Sequence, residues 1–96
     1  MSRFEVLQIL EKFKVNNAQE YGVLLIGVFG SVARDEATPT SDVDIVVKTE
    51  TPDPFKIVHL KEYLELQMNR HVDIVRLRES MNPFLKKRIR KEAIYV

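Results

Sequence analysis

The sequence has no cysteine, so disulfides and thiolate zinc sites are excluded. It has no large excess of either charge: the formal net charge is +1, which by itself points to no class of partner. It has no long hydrophobic run. The longest, Val23 to Phe29, is far too short to span a bilayer. No signal peptide is visible, because charged and apolar residues alternate from Arg3 onward. A soluble, cytoplasmic protein without membrane association is expected. There is no repeat, linker or low-complexity segment, and 96 residues leave room for a single domain over residues 1–96. A domain of this size buries only roughly 60–65% of its unfolded surface. Two packed layers fit within that limit and a deep closed pocket does not. A ligand site is therefore expected as a groove or rim that a partner helps to complete.

With 45% apolar residues a core can form, and the local patterns assign its elements. Ser2 followed three residues later by Glu5 is a capping-box pattern. Phe4, Leu7 and Leu10, with Val6 and Phe13, recur at helical spacing, which predicts a helix from about Arg3 to Lys14. A second short turn precedes Gly22. Val23 to Phe29 reads as a strand buried on both faces, interrupted only by Gly27. Ser31 to Ala37 reads as a short helix and Thr38 to Ser41 as a turn. Asp42 to Lys48 is the next strand, with Val43, Ile45 and Val47 on one face and Asp42, Asp44 and Val46 on the other. Phe55 to Asn69 is predicted helical, with Ile57, Leu60, Leu64 and Met68 on one stripe. His71 to Leu77 is a third strand, with Val72 and Ile74 inward and Asp73 outward. Phe84 to Glu92 forms a last helix, with Leu85, Ile89 and Ala93 on one side. The fold class is α/β (α+β), a small mixed sheet of three to four strands packed with helices.

Three features in this pattern carry chemistry. Asp42 and Asp44, two apart on one strand, share a face with Cα atoms roughly 6.5–7 Å apart. Such anions repel each other unless a cation lies between them. Hard oxygen ligands without an adjacent His or Cys suit Mg²⁺ or Mn²⁺. An Asp-x-Asp pair alone is more often just a solvated strand face. Gly30-Ser31 is the second feature: a buried strand ending in Gly-Ser before a helix presents backbone N–H groups to phosphate oxygens. Alone, it would be an ordinary turn with Ser31 as cap. The third is Asp73, an acid in an otherwise apolar strand, placed to join a metal site across the sheet or to accept a proton from an attacking hydroxyl.

Taken together, Val28-Phe29-Gly30-Ser31-Val32-Ala33-Arg34, Ser41-Asp42-Val43-Asp44-Ile45-Val46-Val47 and Val72-Asp73-Ile74-Val75 resemble the polymerase-beta-like nucleotidyltransferases. Within these, the chain is most similar to the minimal nucleotidyltransferase antitoxins that are paired with HEPN-domain ribonuclease toxins. The likeness spans nearly the whole chain, including the tail from Asn82-Pro83 to Val96. The resemblance implies a minimal nucleotidyltransferase fold and an ATP-dependent protein adenylyltransferase that moves AMP onto a tyrosine of its toxin. It implies that Gly30 and Ser31, with Arg34 and Ser41, bind the nucleotide. Asp42, Asp44 and Asp73 would hold two Mg²⁺ ions, with Mn²⁺ able to substitute, and Asp73 would assist the acceptor hydroxyl. One departure stands out: where the family commonly has glycine after the arginine, this sequence has Asp35. Aspartate tolerates a left-handed turn better than most residues.

Two other readings stay open at this stage. One is a non-catalytic antitoxin that occludes its toxin, and the other is a nucleotidyltransferase acting on RNA or a small molecule. Arg34 is as well placed to pair with Glu36 as to contact phosphate. His59 and His71 lack partners at metal-ligand spacing and read as surface histidines. Lys86-Lys87-Arg88 and Arg90-Lys91 form a solvated helix face that could also meet an acidic partner. No aromatic residues interleave this run, which argues against direct nucleic-acid binding.

Overall fold

A computed structural model describes all residues 1–96. Its element order is α1 (Arg3–Asn17), β1 (Val23–Phe29), α2 (Gly30–Ala33), β2 (Val43–Thr49), α3 (Pro54–Met68), β3 (Val72–Arg76), α4 (Pro83–Glu92) and β4 (Ile94–Tyr95). The strands form one mixed sheet in the order β3-β2-β1-β4. β1 runs antiparallel to both β2 and β4. β2 and β3 are parallel, and α3 supplies the crossover between them.

Local chemistry explains where the helices begin. Ser2 Oγ accepts from Glu5 N at 3.1 Å and Ser2 N donates to Glu5 Oε1 at 3.0 Å, completing the expected capping box. Asp53 caps α3 by accepting from Phe55 N and Lys56 N, with Pro54 at the first helical position. Asn82 and Pro83 repeat the arrangement at α4. The left-handed Asn69 stops α3, its N–H donating to Glu65 O.

The core lies mainly on one side of the sheet. Val6, Leu10 and Phe13 of α1 and Leu60, Leu64 and Met68 of α3 pack on Ile26, Val28, Val43, Ile45, Val47 and Val72. Burying an aliphatic side chain of this kind contributes about 1.5–3 kcal/mol. Phe4 does not join this stripe and is 69% exposed, because the burying face of α1 passes through Val6, Leu10 and Phe13. The opposite side of the sheet is covered only in part. There α4 lays Ile89 over Phe29 and Val46, with Met81. α4 is ten residues long and covers only part of that face, so Leu24 and Leu25 at the start of β1 stay exposed rather than buried on both faces. The uncovered part of this second face carries the acids. No helix is long and apolar enough to cross a membrane.

Several boundaries differ from the sequence-based expectation. α2 is one turn, Gly30–Ala33, and ends at a left-handed Asp35 rather than running to Ala37. β2 begins at Val43, which leaves Asp42 just outside the ladder. β4 was not expected from the sequence. It forms where β1 has no side chain: a Cβ at Gly27 would lie 2.7 Å from Ile94 O, so only glycine lets the tail approach.

Candidate active site

The parallel register of β2 and β3 builds the site. Val43 pairs with Val72, and both are buried toward α1 and α3. One step along, Asp44 pairs with Asp73, so their side chains point together to the opposite face. One step back stand Asp42 and His71, on the same face as the two acids. The backbone fixes this second pair as well, because Val43 N donates to His71 O at 2.9 Å. The result is a two-by-two array of Asp42, Asp44, His71 and Asp73 on the face expected for the acids. His71 Nδ1 lies 3.4 Å from Asp42 Oδ1 and 3.9 Å from Asp73 Oδ1. One ligand atom from each of Asp42, His71 and Asp73 falls within 4.8 Å of the others.

His71 is therefore not the isolated surface histidine that its spacing suggested. The signal was present but easy to miss. His71-x-Asp73 repeats the two-residue spacing of Asp42-x-Asp44, and the parallel register superposes the two pairs.

Gly30 forms the other wall. Phe29 is the last residue of β1 and pairs with Asp44. The chain then turns sharply at Gly30, whose φ is +74°, a conformation that L side chains rarely adopt. A Cβ there would collide with Asp44 Oδ2, so the backbone and the carboxylate meet only because the residue is glycine. The carboxyl of Asp44 is pushed above the ordinary aspartate range, first by burial, then by the Asp73 charge, with a smaller push from Asp42. Arg88 and Arg34 pull it back down without cancelling the rise. The site thus concentrates negative charge faster than the chain neutralises it. Three carboxylates and an imidazole, all open to solvent on one side, suit a divalent cation.

The remaining expected residues surround this array. Ser31 is half-buried in the single turn of α2 and does not cap it, since Phe29 occupies the cap position without a side-chain bond. Ser41 accepts from Thr38 N at 2.9 Å, closing the turn that delivers Asp42. The Arg34 guanidinium is ion-paired to Glu92 of α4 and, at 3.4 Å, to Glu36, so the structure realises the pairing alternative. Burial pushes the Glu92 carboxyl up, but bonds from Arg34 and Arg88 outweigh it and hold the group below its usual range. Arg88 was read from sequence as part of a solvated basic face. It is exposed as expected, and from there it bonds Glu92 at 3.3 Å and lies 5.8 Å from the Phe29 ring centroid, bringing positive charge toward Asp44. A separate groove of about 440 Å³ lies at the far end of β2, lined by Lys48, Lys86, Arg90 and Tyr95 among others. It does not reach the acids.

A mixed sheet with a Gly-Ser turn at the end of one strand and carboxylates in register on the next two defines a nucleotide-transferring class of protein. The nucleotidyltransferase domain model matches residues 8–96, and the chain belongs to that family. It is 40% identical over 93 residues to the protein adenylyltransferase MntA of Thermococcus cleftensis, covering 96% of this chain and 93% of that one. A solved structure assigned as a minimal nucleotidyltransferase superposes with a TM-score of 0.78 at 33% identity, over 98% of this chain and 95% of the other. A third match shares the fold at 24% identity, with a TM-score of 0.65 over 93% of this chain and 70% of that one. That structure holds a tri-AMPylated HEPN toxin of Shewanella oneidensis in complex with MNT antitoxin. The chain is thus an enzyme of the nucleotidyltransferase type with the minimal form of the fold.

Proposed function

We propose that this protein transfers AMP from ATP to a tyrosine of a HEPN-domain ribonuclease partner in the cytoplasm and thereby silences it. The observation that carries the reading is the in-register pair Asp44 and Asp73, with Asp42 beside them on the same face and Asp44 against the Gly30 turn. Two comparisons support the choice of acceptor: the MntA relative is named a protein adenylyltransferase, and the structural neighbour pairs an MNT antitoxin with an AMPylated toxin.

Each residue has a definite task in this reading. The backbone N–H groups after Gly30, together with the Ser31 hydroxyl, hold the terminal phosphates. α2 has only four residues, so these donors act as local hydrogen bonds rather than through a large helix dipole. Ser41 keeps the Asp42 turn closed beside the nucleotide. Arg34 keeps its bond to Glu92 and offers its exposed edge to phosphate in place of Glu36. Asp42, Asp44 and Asp73 hold two Mg²⁺ ions, for which Mn²⁺ can substitute. Bound there, the ions would neutralise the triphosphate and favour in-line displacement. The tyrosine oxygen attacks the α-phosphorus, its proton passes to the Asp73 carboxylate, and pyrophosphate leaves. The acids lie on an open rim, so the acceptor protein itself closes the site and excludes water.

The test is incubation of the purified chain with α-labelled ATP, Mg²⁺ and the HEPN partner. Label should appear on the partner and its ribonuclease activity should fall. Silencing without label would favour simple occlusion. Label on RNA or on a small molecule would identify a different acceptor.

A further inference from the structure

We infer that His71 is a fourth ligand of the metal site, and that its imidazole gives the site a preference for Mn²⁺ over Mg²⁺. The inference rests on the proposed metal-dependent transfer and adds a residue to it. Three observations converge. The first is placement: the bond from Val43 N to His71 O locks the start of β3 to β2, so His71 stands beside Asp42 as Asp73 stands beside Asp44.

The second is distance. A direct hydrogen bond between an imidazole and a carboxylate is shorter than about 3.2 Å. His71 Nδ1 lies 3.4 Å from Asp42 Oδ1 and 3.9 Å from Asp73 Oδ1, so it stands between the carboxylates without bonding tightly to either. An octahedral ion with bonds of about 2.1 Å holds adjacent ligands about 3.0 Å apart and opposite ones about 4.2 Å apart. The two separations measured here fall between those limits.

The third is charge and exposure. His71, Asp42 and Asp73 are all exposed, so no packing constraint keeps an ion out. Mg²⁺ takes oxygen ligands and loses water reluctantly, so a nearby imidazole contributes little to its binding. Mn²⁺ shares the preference of Mg²⁺ for oxygen ligands but, as the first of the transition-ion affinity series, it gains more from an imidazole nitrogen beside carboxylates than Mg²⁺ does. The cluster of Asp42, His71 and Asp73 therefore offers Mg²⁺ two useful ligands and Mn²⁺ three, with Asp44 beside it adding one more carboxylate to either ion.

The test uses the purified chain with Mn²⁺, alone and with inorganic tripolyphosphate, which occupies the phosphate site and contributes no nitrogen. Pulsed electron paramagnetic resonance of bound Mn²⁺ should detect coupling to a directly ligated imidazole nitrogen. His71→Ala should abolish that coupling; His59 is the only other histidine and serves as the internal control. In His71→Ala and His71→Gln, Mn²⁺ affinity should fall by at least the roughly 10–100-fold typical of losing even an outer-shell partner of a metal ligand. Stabilisation by Mg²⁺ should be unchanged. Bound Mn²⁺ without nitrogen coupling, or with parental affinity in both variants, would overturn the role of His71 and leave the three acids intact. Failure of the parent chain to bind Mn²⁺ in either condition would overturn both this inference and the metal-dependent reading beneath it.

Discussion

Gly30 and Asp44 occupy space that a single added methyl group would deny them: any Cβ at Gly30 would overlap Asp44 Oδ2. The strand that ends at Phe29 and the strand that carries Asp44 are hydrogen-bonded neighbours, so neither can retreat without breaking the sheet. In the proposed function this close approach puts the phosphate donors and the metal ligands within one nucleotide's reach of each other.

Gly30→Ala should therefore damage the protein in two ways. The positive φ costs roughly 1–2 kcal/mol for a residue with a side chain. Displacement of Asp44 should add a loss of nucleotide binding that exceeds the loss of stability. Urea denaturation and ATP titration on the same variant check this. A variant that is destabilised yet binds ATP as the parent does would separate Gly30 from the site.

The Asp44 carboxyl is pushed up by burial and by Asp73, so the folded state holds this proton more tightly than the unfolded chain does. The associated stability is complete below the ordinary aspartate pKa of about 3.9 and is lost as pH rises through the folded value. Metal-free Asp44→Asn should accordingly melt above the parent at neutral pH, and the gap should close on acidification. Adding Mg²⁺ or Mn²⁺ at 10–100 times its dissociation constant should stabilise the parent by about 1–3 kcal/mol. Asp44→Asn should gain less. Melting curves over pH, with and without metal, test both halves.

Asp35 holds a φ of +60° at the end of α2, the position where the resembling family commonly has glycine. Asp35→Gly should stabilise the fold by up to about 1 kcal/mol, since glycine takes this conformation without strain. In the proposed reading it also removes a negative charge near the triphosphate, so ATP should bind more tightly. Thermal melts and ATP titration report the two effects separately.

Much of this was readable from residue spacing. Ser2 and Glu5 set the start of α1 through local bonds, and local bonds leave local patterns; the helices read from Phe55 and Phe84 each begin one residue earlier, at the prolines that Asp53 and Asn82 precede as caps. The alternation of Val43, Ile45 and Val47 against Asp44 fixed the acid face before any partner strand was known. What was hidden depends on contacts distant in sequence. His71 acquires its meaning only when the parallel register brings it beside Asp42. Arg88 looks like one cation in a basic run until α4 folds back over Phe29. β4 has two residues, too few for any periodic signal, and only the missing side chain of Gly27 hints at the chain that packs there. Leu24 and Leu25 read as buried because composition does not show how far α4 reaches.

The most direct test of the central claim measures ATP affinity and AMP transfer to the HEPN partner on Asp42→Asn, Asp44→Asn and Asp73→Asn together. In the proposed reading Asp42 and Asp44 hold the metal that escorts the triphosphate, so their variants should lose nucleotide affinity along with transfer. Asp73 is proposed to act when the hydroxyl attacks, so Asp73→Asn should bind Mg-ATP and the partner nearly as the parent does. Its transfer rate should nonetheless fall by at least ~10²–10⁴-fold, the range for loss of general-base help alone. Transfer by Asp73→Asn at close to the parental rate would contradict the account, leaving Asp73 a bystander beside the Asp42–Asp44 pair.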